Sequence, residues 1–331
     1  MIRLSIIKRG DQMDKTLKRI GELGITPVVK IEKAEDALPL GKALIDGGLP
    51  IAEITFRTSA AEESIKILAK GLPELLVGAG TILKIDQVKR AVSIGAKFIV
   101  SPGFNPKVVD YCIENSIPVI PGINNPTQIE MALERGIKLV KFFPAEASGG
   151  LALLKSMSAP YNEIKFIPTG GINPDNLCNY LSHPKVHAVG GSWMVKANII
   201  SSGDFNEISR LTKEAISTML GFKFAHLDIN EENKEKTNHA ANLLLDLFNL
   251  PIKEEVSSIF TGPSFGTFKK KYFGKYGHIA IATNDINRAI VYLKMKNIST
   301  LPETAREKDG KLRIIYLAQE ISGFAVYLLQ K

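Results

Sequence analysis

The chain of 331 residues has only two cysteines, Cys112 and Cys178. Both fall in segments that read as helices, with no metal-ligand spacing between them, so a reduced, cytoplasmic setting is expected. No apolar run reaches the roughly 18 residues that crossing a bilayer takes, so no membrane partner is expected. The apolar stretch within residues 1–10 is too short for a signal peptide, and no small-residue cleavage site follows it. A concentration of one charge is also missing. The formal charge is +8, but residues 222–331 hold 16 of the 42 basic and 12 of the 34 acidic residues, leaving +4 on each part. The one basic run, Lys269-Lys270-Lys271, reads as a solvated turn. No nucleic-acid partner is expected, and anionic small molecules would gain mildly from the positive field.

What is present is ordinary for a folded protein: 45% hydrophobic and 23% charged residues. The length exceeds what one core usually holds, so two domains are expected, 1–220 and 222–331. From residue 26 to about 193, short apolar runs rich in β-formers end in small or polar residues and are followed by helical segments. The runs are 26–31, 51–57, 75–82, 98–103, 118–123, 139–144, 165–171 and 187–193. Amphipathic stretches such as 34–46, 60–70, 86–94 and 126–135 lie between them, punctuated by Gly or Pro. Eight such units, with no Gly-x-Gly-x-x-Gly turn to suggest an open dinucleotide-binding sheet, predict an α/β fold of the (β/α)8 TIM-barrel type. Residues 11–23 read as an extra helix before it and 205–220 as a closing helix.

After Gly221 the pattern changes. Strands are expected at 222–229, 257–260, 267–273, 277–282, 312–318 and 323–329, with helices at 238–248 and 286–296. A strand, a helix and two or three strands, written twice, predict a smaller α+β domain of two related halves.

Alternate residues of a barrel strand face its interior, and barrel active sites lie at strand C-terminal ends. In Ile51-Ala52-Glu53-Ile54-Thr55-Phe56-Arg57 the period of two puts Glu53, Thr55 and Arg57 on one face. They read as a structural Glu–Arg pair or as a general acid/base beside an anion clamp. In Leu139-Val140-Lys141-Phe142-Phe143-Pro144, Lys141 shares its face with Leu139 and Phe143. Apolar surroundings favour the neutral amine, the form that attacks carbonyls, although a snorkelling lysine has the same pattern. Thr81 follows Gly78-Ala79-Gly80, and Pro102 lies in Ser101-Pro102-Gly103. Gly170 and Gly171 follow Thr169, and Gly190-Gly191 precedes Ser192. Glycines after strands seven and eight let backbone N–H groups approach a phosphate, the usual barrel phosphate site.

The runs Glu53-Ile54-Thr55-Phe56-Arg57-Thr58, Gly78-Ala79-Gly80-Thr81, Ser101-Pro102-Gly103, Lys141-Phe142-Phe143-Pro144-Ala145-Glu146, Pro168-Thr169-Gly170-Gly171-Ile172 and Gly190-Gly191-Ser192-Trp193 resemble those of the 2-keto-3-deoxy-6-phosphogluconate (KDPG) and 4-hydroxy-2-oxoglutarate aldolases. The likeness covers about residues 15–215. It implies a Schiff-base lysine at Lys141 and a proton shuttle at Glu53. Arg57 and Thr81 would hold a carboxylate, Pro102 and Thr169 would contact substrate, and Gly170, Gly171 and Ser192 would bind phosphate. It further implies a phosphorylated keto acid as substrate, no cofactor or metal, and a homotrimer. Other readings are the galactonate epimer as substrate, an isomerase or decarboxylase acting on a sugar phosphate, or an inactive sugar-phosphate sensor. In residues 222–331 the runs Phe224-Ala225-His226-Leu227-Asp228-Ile229 and Gly277-His278-Ile279-Ala280-Ile281 resemble those of the vicinal-oxygen-chelate (glyoxalase-like) superfamily, which usually binds metal through one histidine on each first strand and a glutamate late in each half. His226 and His278 match the histidines. Tyr327 stands where a glutamate is usual, and no acidic residue lies near Gly266-Thr267-Phe268. No metal is therefore expected, and a ligand-binding or oligomerising role is.

Overall fold

The computed structural model describes residues 15–255, 258–269 and 272–331. The sequence readings on residues 1–14, Ser257, Lys270 and Lys271 lie outside them. The chain divides into two compact units, one up to Met219 and one from Leu220. Among the described residues no helix is long and apolar enough to cross a membrane.

In the first unit a helix over residues 15–23 leads into nine short strands. They are β1 (Ile25–Val29), β2 (Ile51–Thr55), β3 (Leu76–Gly80), β4 (Ile99–Val100), β5 (Val119–Ile120), β6 (Gly122–Ile123), β7 (Leu139–Phe142), β8 (Lys165–Pro168) and β9 (Val189–Gly191). All pairings are parallel, in the orders β5-β4-β3-β2-β1-β9 and β6-β7-β8. Every residue of β1, β2 and β7 but Pro27's neighbour Val28 is buried, because helices cover one face and the curled sheet's own interior covers the other.

The expected eight-stranded closed barrel is thus a curled parallel sheet whose ladder is interrupted twice. One break falls inside the predicted fifth strand. Pro121 separates β5 from β6, and having no N–H it can only accept, here from Lys141 N at 2.9 Å. The other lies between β8 and β9, joined only by the isolated parallel bridges Phe166–Val186 and Thr169–Gly190. All but the fifth of the strand runs also stop two or three residues short of the sequence reading at their C-terminal ends, since the terminal small and polar residues form loops. The helices Ala37–Asp46, Ala61–Gly71, Ile85–Ser93 and Phe205–Leu220 form where amphipathic spacing places them. Asn105, Asn125 and Asn173 cap three others, each followed by Pro at the first helical position.

Among the described residues the second unit is one eight-stranded sheet with two helices. Its strands are β10 (Lys223–Asn230), β11 (Ile252–Glu254), β12 (Ser258–Thr261), β13 (Phe265–Phe268), β14 (Gly277–Thr283), β15 (Thr300–Lys308), β16 (Lys311–Ile321) and β17 (Phe324–Gln330). The order is β11-β12-β13-β10-β14-β17-β16-β15. Each half is βαβββ, with its first strand parallel to its last (β10 with β13, β14 with β17), and the two first strands meet antiparallel in the centre. β11 and β15 escaped the sequence reading for one reason. Both are sheet edges and both carry charged or exposed residues, which discourage further pairing and erase the apolar alternation that marks a central strand. The strand predicted at 267–273 is β13, which begins two residues earlier and ends at Phe268, five residues earlier.

Two predictions follow from the packing. Cys112 is fully buried, and burial pushes its thiol up to about 12, whereas Cys178 is partly exposed. A thiol-disulfide reagent at pH 8 is expected to titrate no more than one thiol in the folded protein and two in denaturant. A methyl on Gly122 would lie 2.1 Å from the Pro102 carbonyl oxygen, backbone against backbone. Gly122→Ala is expected to cost about 1–3 kcal/mol, read as a lowered urea midpoint.

Candidate active site

The chemistry-bearing residues of the first unit converge where β2 and β7 present their buried faces. Lys141 Nζ lies 3.2 Å from Glu53 Oε1, with the two residues only 6% and 3% exposed. Burying two charges costs more solvation than their attraction reliably returns, so such a pair is poor evidence for stability and better evidence for a working site. A cavity of about 10 Å³ opens beside them, lined by both residues together with Ile20, Thr26, Phe98 and Thr169 among others. That is room for about one water. The apolar surroundings expected for Lys141 are present: it has the Phe143 ring 5.4 Å away and shares the cavity wall with Ile120 and Ile167. Sequence periodicity could not supply the carboxylate in contact with it, 88 residues away in the chain.

Glycine makes the berth for that carboxylate. Gly80 sits on the neighbouring strand opposite Thr55, and a Cβ there would stand 2.2 Å from Glu53 Oε1. Thr55, buried on the same face as Glu53, donates to the Val29 carbonyl at 2.7 Å and accepts from Arg57 Nε at 3.1 Å. Arg57 has left the strand and is exposed, so its guanidinium is tethered at the rim with its remaining N–H groups available. Glu53 and Arg57 therefore do not form the structural pair that was one reading of this run; the carboxylate faces Lys141 instead.

The loops after β7 and β8 are stitched to each other and to β9. Ala145 N donates to Thr169 O at 2.8 Å and Glu146 N to Gly170 O at 3.0 Å, and Thr169 bridges to Gly190. Gly170 and Gly171 have φ of 97° and 83°, the left-handed region that side chains resist. Gly190 has a different reason to lack a side chain, because a Cβ would meet Thr169 Oγ1 at 2.3 Å. The Tyr180 hydroxyl donates to Glu146, and burial, reinforced by that carboxylate, holds its pKa above the usual phenol range. Thr81 follows β3 at φ 58°, Pro102 follows β4, and Ser192 stands exposed after β9. Among the described residues no hydrogen bond joins the side chain of any of these three to the Lys141–Glu53 pair.

Two members of this region were missed. Thr26 lines the cavity with its buried hydroxyl lacking any hydrogen-bond partner, and its signal was a polar residue inside an apolar strand. Glu146 anchors the loop after β7 through Tyr180, which only the fold brings near.

In the second unit the donors do not converge as the glyoxalase-like resemblance would require for a metal. His226 Nε2 is engaged by the Tyr327 hydroxyl at 2.6 Å, and His278 Nδ1 by that of Tyr316 at 2.7 Å. Among the described residues no group of three or more His, Cys, Asp or Glu is placed to hold a metal ion. The acidic residue nearest these histidines is Asp228, on β10 itself. The sequence reading passed over it, although the period of two places it on the face of His226.

The chain is similar to known proteins over its first unit. The family model described as "Aldolase: KDPG and KHG aldolase" matches residues 16–211. A 2-dehydro-3-deoxy-phosphogluconate aldolase of Treponema pallidum is 48% identical over 192 residues, 58% of this chain and 91% of that protein. One of Haemophilus influenzae is 47% identical over 200 residues, 60% of this chain and 94% of that protein. The KHG/KDPG aldolase of Escherichia coli K12 is 40% identical over 192 residues, 58% of this chain and 90% of that protein. Among solved structures, the KDPG aldolase of Legionella pneumophila, with pyruvate captured as a covalent carbinolamine, superposes with a TM-score of 0.59 at 36% identity. It covers 60% of this chain and 97% of that one. A KDPG aldolase of Zymomonas mobilis with 3-phosphoglycerate gives 0.56 at 38% identity, covering 61% and 94%. With a buried lysine–carboxylate pair on β7 and β2 and a family match over more than half its length, the chain belongs to the KDPG and KHG aldolase family.

Proposed function

We propose that the chain is a carbon–carbon lyase of the Schiff-base class that cleaves 2-dehydro-3-deoxy-6-phosphogluconate to pyruvate and glyceraldehyde 3-phosphate. The observation that carries the reading is the buried contact of 3.2 Å between Lys141 Nζ and Glu53 Oε1. The curled sheet is read as a (β/α)8 barrel with this pair near the C-terminal strand ends, and residues 1–220 as the aldolase domain. Family resemblance adds the expectation of a cytoplasmic homotrimer.

The chemistry follows from the side chains. Lys141 passes its proton on, with Glu53 the acceptor within reach, and its amine attacks the C2 ketone. The carbinolamine hydroxyl takes that proton back from Glu53 and leaves as water, which gives a protonated imine and restores the carboxylate. That imine is an electron sink, so the C3–C4 bond breaks when the C4 hydroxyl gives its proton to Glu53, directly or through the one water the cavity admits. Glyceraldehyde 3-phosphate departs, the enamine takes a proton at C3, and hydrolysis releases pyruvate and the free lysine. Arg57, with N–H groups to spare, grips the substrate carboxylate in a two-pronged hydrogen bond that a lysine could not reproduce, and Thr81 assists it. Pro102 and Thr169 contact the substrate chain. Gly170, Gly171 and Ser192 receive the phosphate on backbone N–H groups and a hydroxyl. A shorter acid, 4-hydroxy-2-oxoglutarate, fits the same steps without the phosphate, in keeping with the double name of the Escherichia coli relative.

Residues 222–331 are read as a glyoxalase-like domain, supported by the two βαβββ halves joined through antiparallel first strands.

Borohydride reduction with pyruvate is expected to leave a pyruvyl adduct on the Lys141 peptide, insensitive to chelator. No adduct, or one persisting in Lys141→Ala, would overturn the assignment. Glu53→Gln, which keeps the shape and removes the base, is expected to lower kcat by about 10²- to 10⁴-fold. Gly80→Ala acts on the same contact from the neighbouring strand. Its methyl displaces the carboxylate and separates two buried charges, so a fall in kcat of similar order is expected together with a lowered thermal midpoint. An unchanged kcat in Gly80→Ala would show that the Lys141–Glu53 contact is not needed for turnover.

A further inference from the structure

The second unit contains a cavity of about 560 Å³, within the range of small-molecule sites. Its walls are mainly rings: Phe260, Phe268, Tyr272, Tyr316 and Tyr327, with His226 among them. The rings meet edge-on or tilted, as His226 does with Phe260 at 5.2 Å and Tyr316 with Tyr327 at 5.0 Å. Such walls offer faces and edges on several sides at once, which suits a flat aromatic guest.

Two polar groups give the cavity direction. At its floor Asp228, 2% exposed, lies on β10 with its Oδ1 over Gly266, where a Cβ would come within 2.0 Å. Tyr327 Oη is 3.3 Å from Asp228 Oδ2 and 2.6 Å from His226 Nε2. A phenol has one proton, and burial holds this one above the usual phenol range. The consistent assignment runs from His226 Nε2–H to Tyr327 Oη, and from Tyr327 O–H to Asp228 Oδ2. The chain of donors ends there, and among the described residues the buried Asp228 Oδ1 has no hydrogen-bond partner. A buried carboxylate oxygen left without a donor is costly, and a ligand hydroxyl or amine would complete it. At the mouth stand two cations. Lys269 is held by Glu254 at 2.7 Å, so its charge is already answered. Arg306 is exposed, rests against Tyr272 with its guanidinium 5.9 Å from the ring centroid, and has no carboxylate partner among the described residues. Its Nη2 donates to the Tyr272 hydroxyl at 3.0 Å, which leaves its other N–H groups to take an anionic group.

We propose that this cavity binds a small aromatic carboxylic acid carrying a hydroxyl or amino donor on its ring. The ring packs among Phe260, Phe268, Tyr272 and Tyr327, the donor completes Asp228 Oδ1, and the carboxylate pairs with Arg306. The site lies wholly within residues 220–331 and is independent of the aldolase reading. Either can fail without the other.

The test is calorimetric titration of the full-length protein with 4-hydroxybenzoate. Saturable binding is expected. Benzoate, lacking the donor, and 4-hydroxybenzyl alcohol, lacking the carboxylate, are each expected to bind about tenfold more weakly or worse, which is 1.4 kcal/mol or more. Asp228→Asn keeps the shape of the floor, and Arg306→Ala alters an exposed side chain. Both should lose 4-hydroxybenzoate affinity by about tenfold or more while the turnover of the keto acid stays unchanged. Absence of binding, or binding that survives both substitutions, would overturn the proposal. So would gluconate binding to Lys141→Ala in place of the aromatic acid, because the guest would then be a polyol. Should Asp228→Asn lose its near-ultraviolet dichroism, Arg306→Ala with the benzoate and benzyl alcohol comparison decides.

Discussion

The first unit depends on one contact that folding alone would not favour. Lys141 and Glu53 lie on strands 88 residues apart in the chain and meet in a nearly dry interior. The surrounding construction serves to keep them there. Parallel strands bring β2 and β7 to the same interior, Gly80 leaves the volume the carboxylate fills, and Ile20, Phe98 and Ile120 keep water to about one molecule. A low-dielectric enclosure strengthens the pairing once made and makes each charge expensive without the other. This is also what the proposed reaction uses. When Lys141 forms a bond to substrate carbon, Glu53 is released from its partner and becomes the nearest proton acceptor. The ground-state pair and the acid/base step are one arrangement seen at two moments.

Much of this was legible in the sequence, and the limits have physical causes. Period-two alternation placed Glu53 and Thr55 on one strand face, and glycine runs marked the loops after β8 and β9. What periodicity cannot give is the partner across the interior, because alternation reports the face of a residue and says nothing about distance. Hence Arg57 was weighed as the ion-pair partner of Glu53, whereas the structure gives that place to Lys141 and ties Arg57 to Thr55. Thr26 was invisible for a related reason: one hydroxyl in an apolar run is common, and only its orphaned position beside the cavity gives it weight. The single fifth strand of the sequence reading became β5 and β6 because proline satisfies the apolar pattern but cannot donate to a ladder.

In the second unit the sequence was most readable at the sheet centre and least at its edges. β10 and β14 carry the apolar alternation and the two histidines, and they meet as the paired first strands of two βαβββ halves. β11 and β15 carry charge instead of pattern. The same chemistry that hides an edge from a periodicity argument protects it from pairing with another chain. The histidines attracted attention as metal ligands, but their neighbours are phenols. Tyr327 engages His226 Nε2 and Tyr316 engages His278 Nδ1, while among the described residues His278 Nε2 has no hydrogen-bond partner. Residue type suggested one chemistry, and the register supplied another.

The two units share a device that joins these observations. Each buries a carboxylate on a strand interior, and each sets a glycine on the adjacent parallel strand: Gly80 beside Glu53, Gly266 beside Asp228. A side chain at either glycine would collide with a carboxylate oxygen at 2.2 or 2.0 Å. Glycine weakens a strand, so its presence inside one calls for a local reason such as close approach. Here the reason is the same in two unrelated sheets. What differs is how the carboxylate is answered. Glu53 has a lysine and is electrically complete. Asp228 has a phenol on one oxygen and, among the described residues, no hydrogen-bond partner on the other. A carboxylate already paired within the protein is suited to exchange a proton when its partner is diverted, whereas one with an unanswered oxygen is suited to hold a ligand. The glycine makes the berth in both, and the neighbour of the carboxylate decides whether that berth serves catalysis or binding.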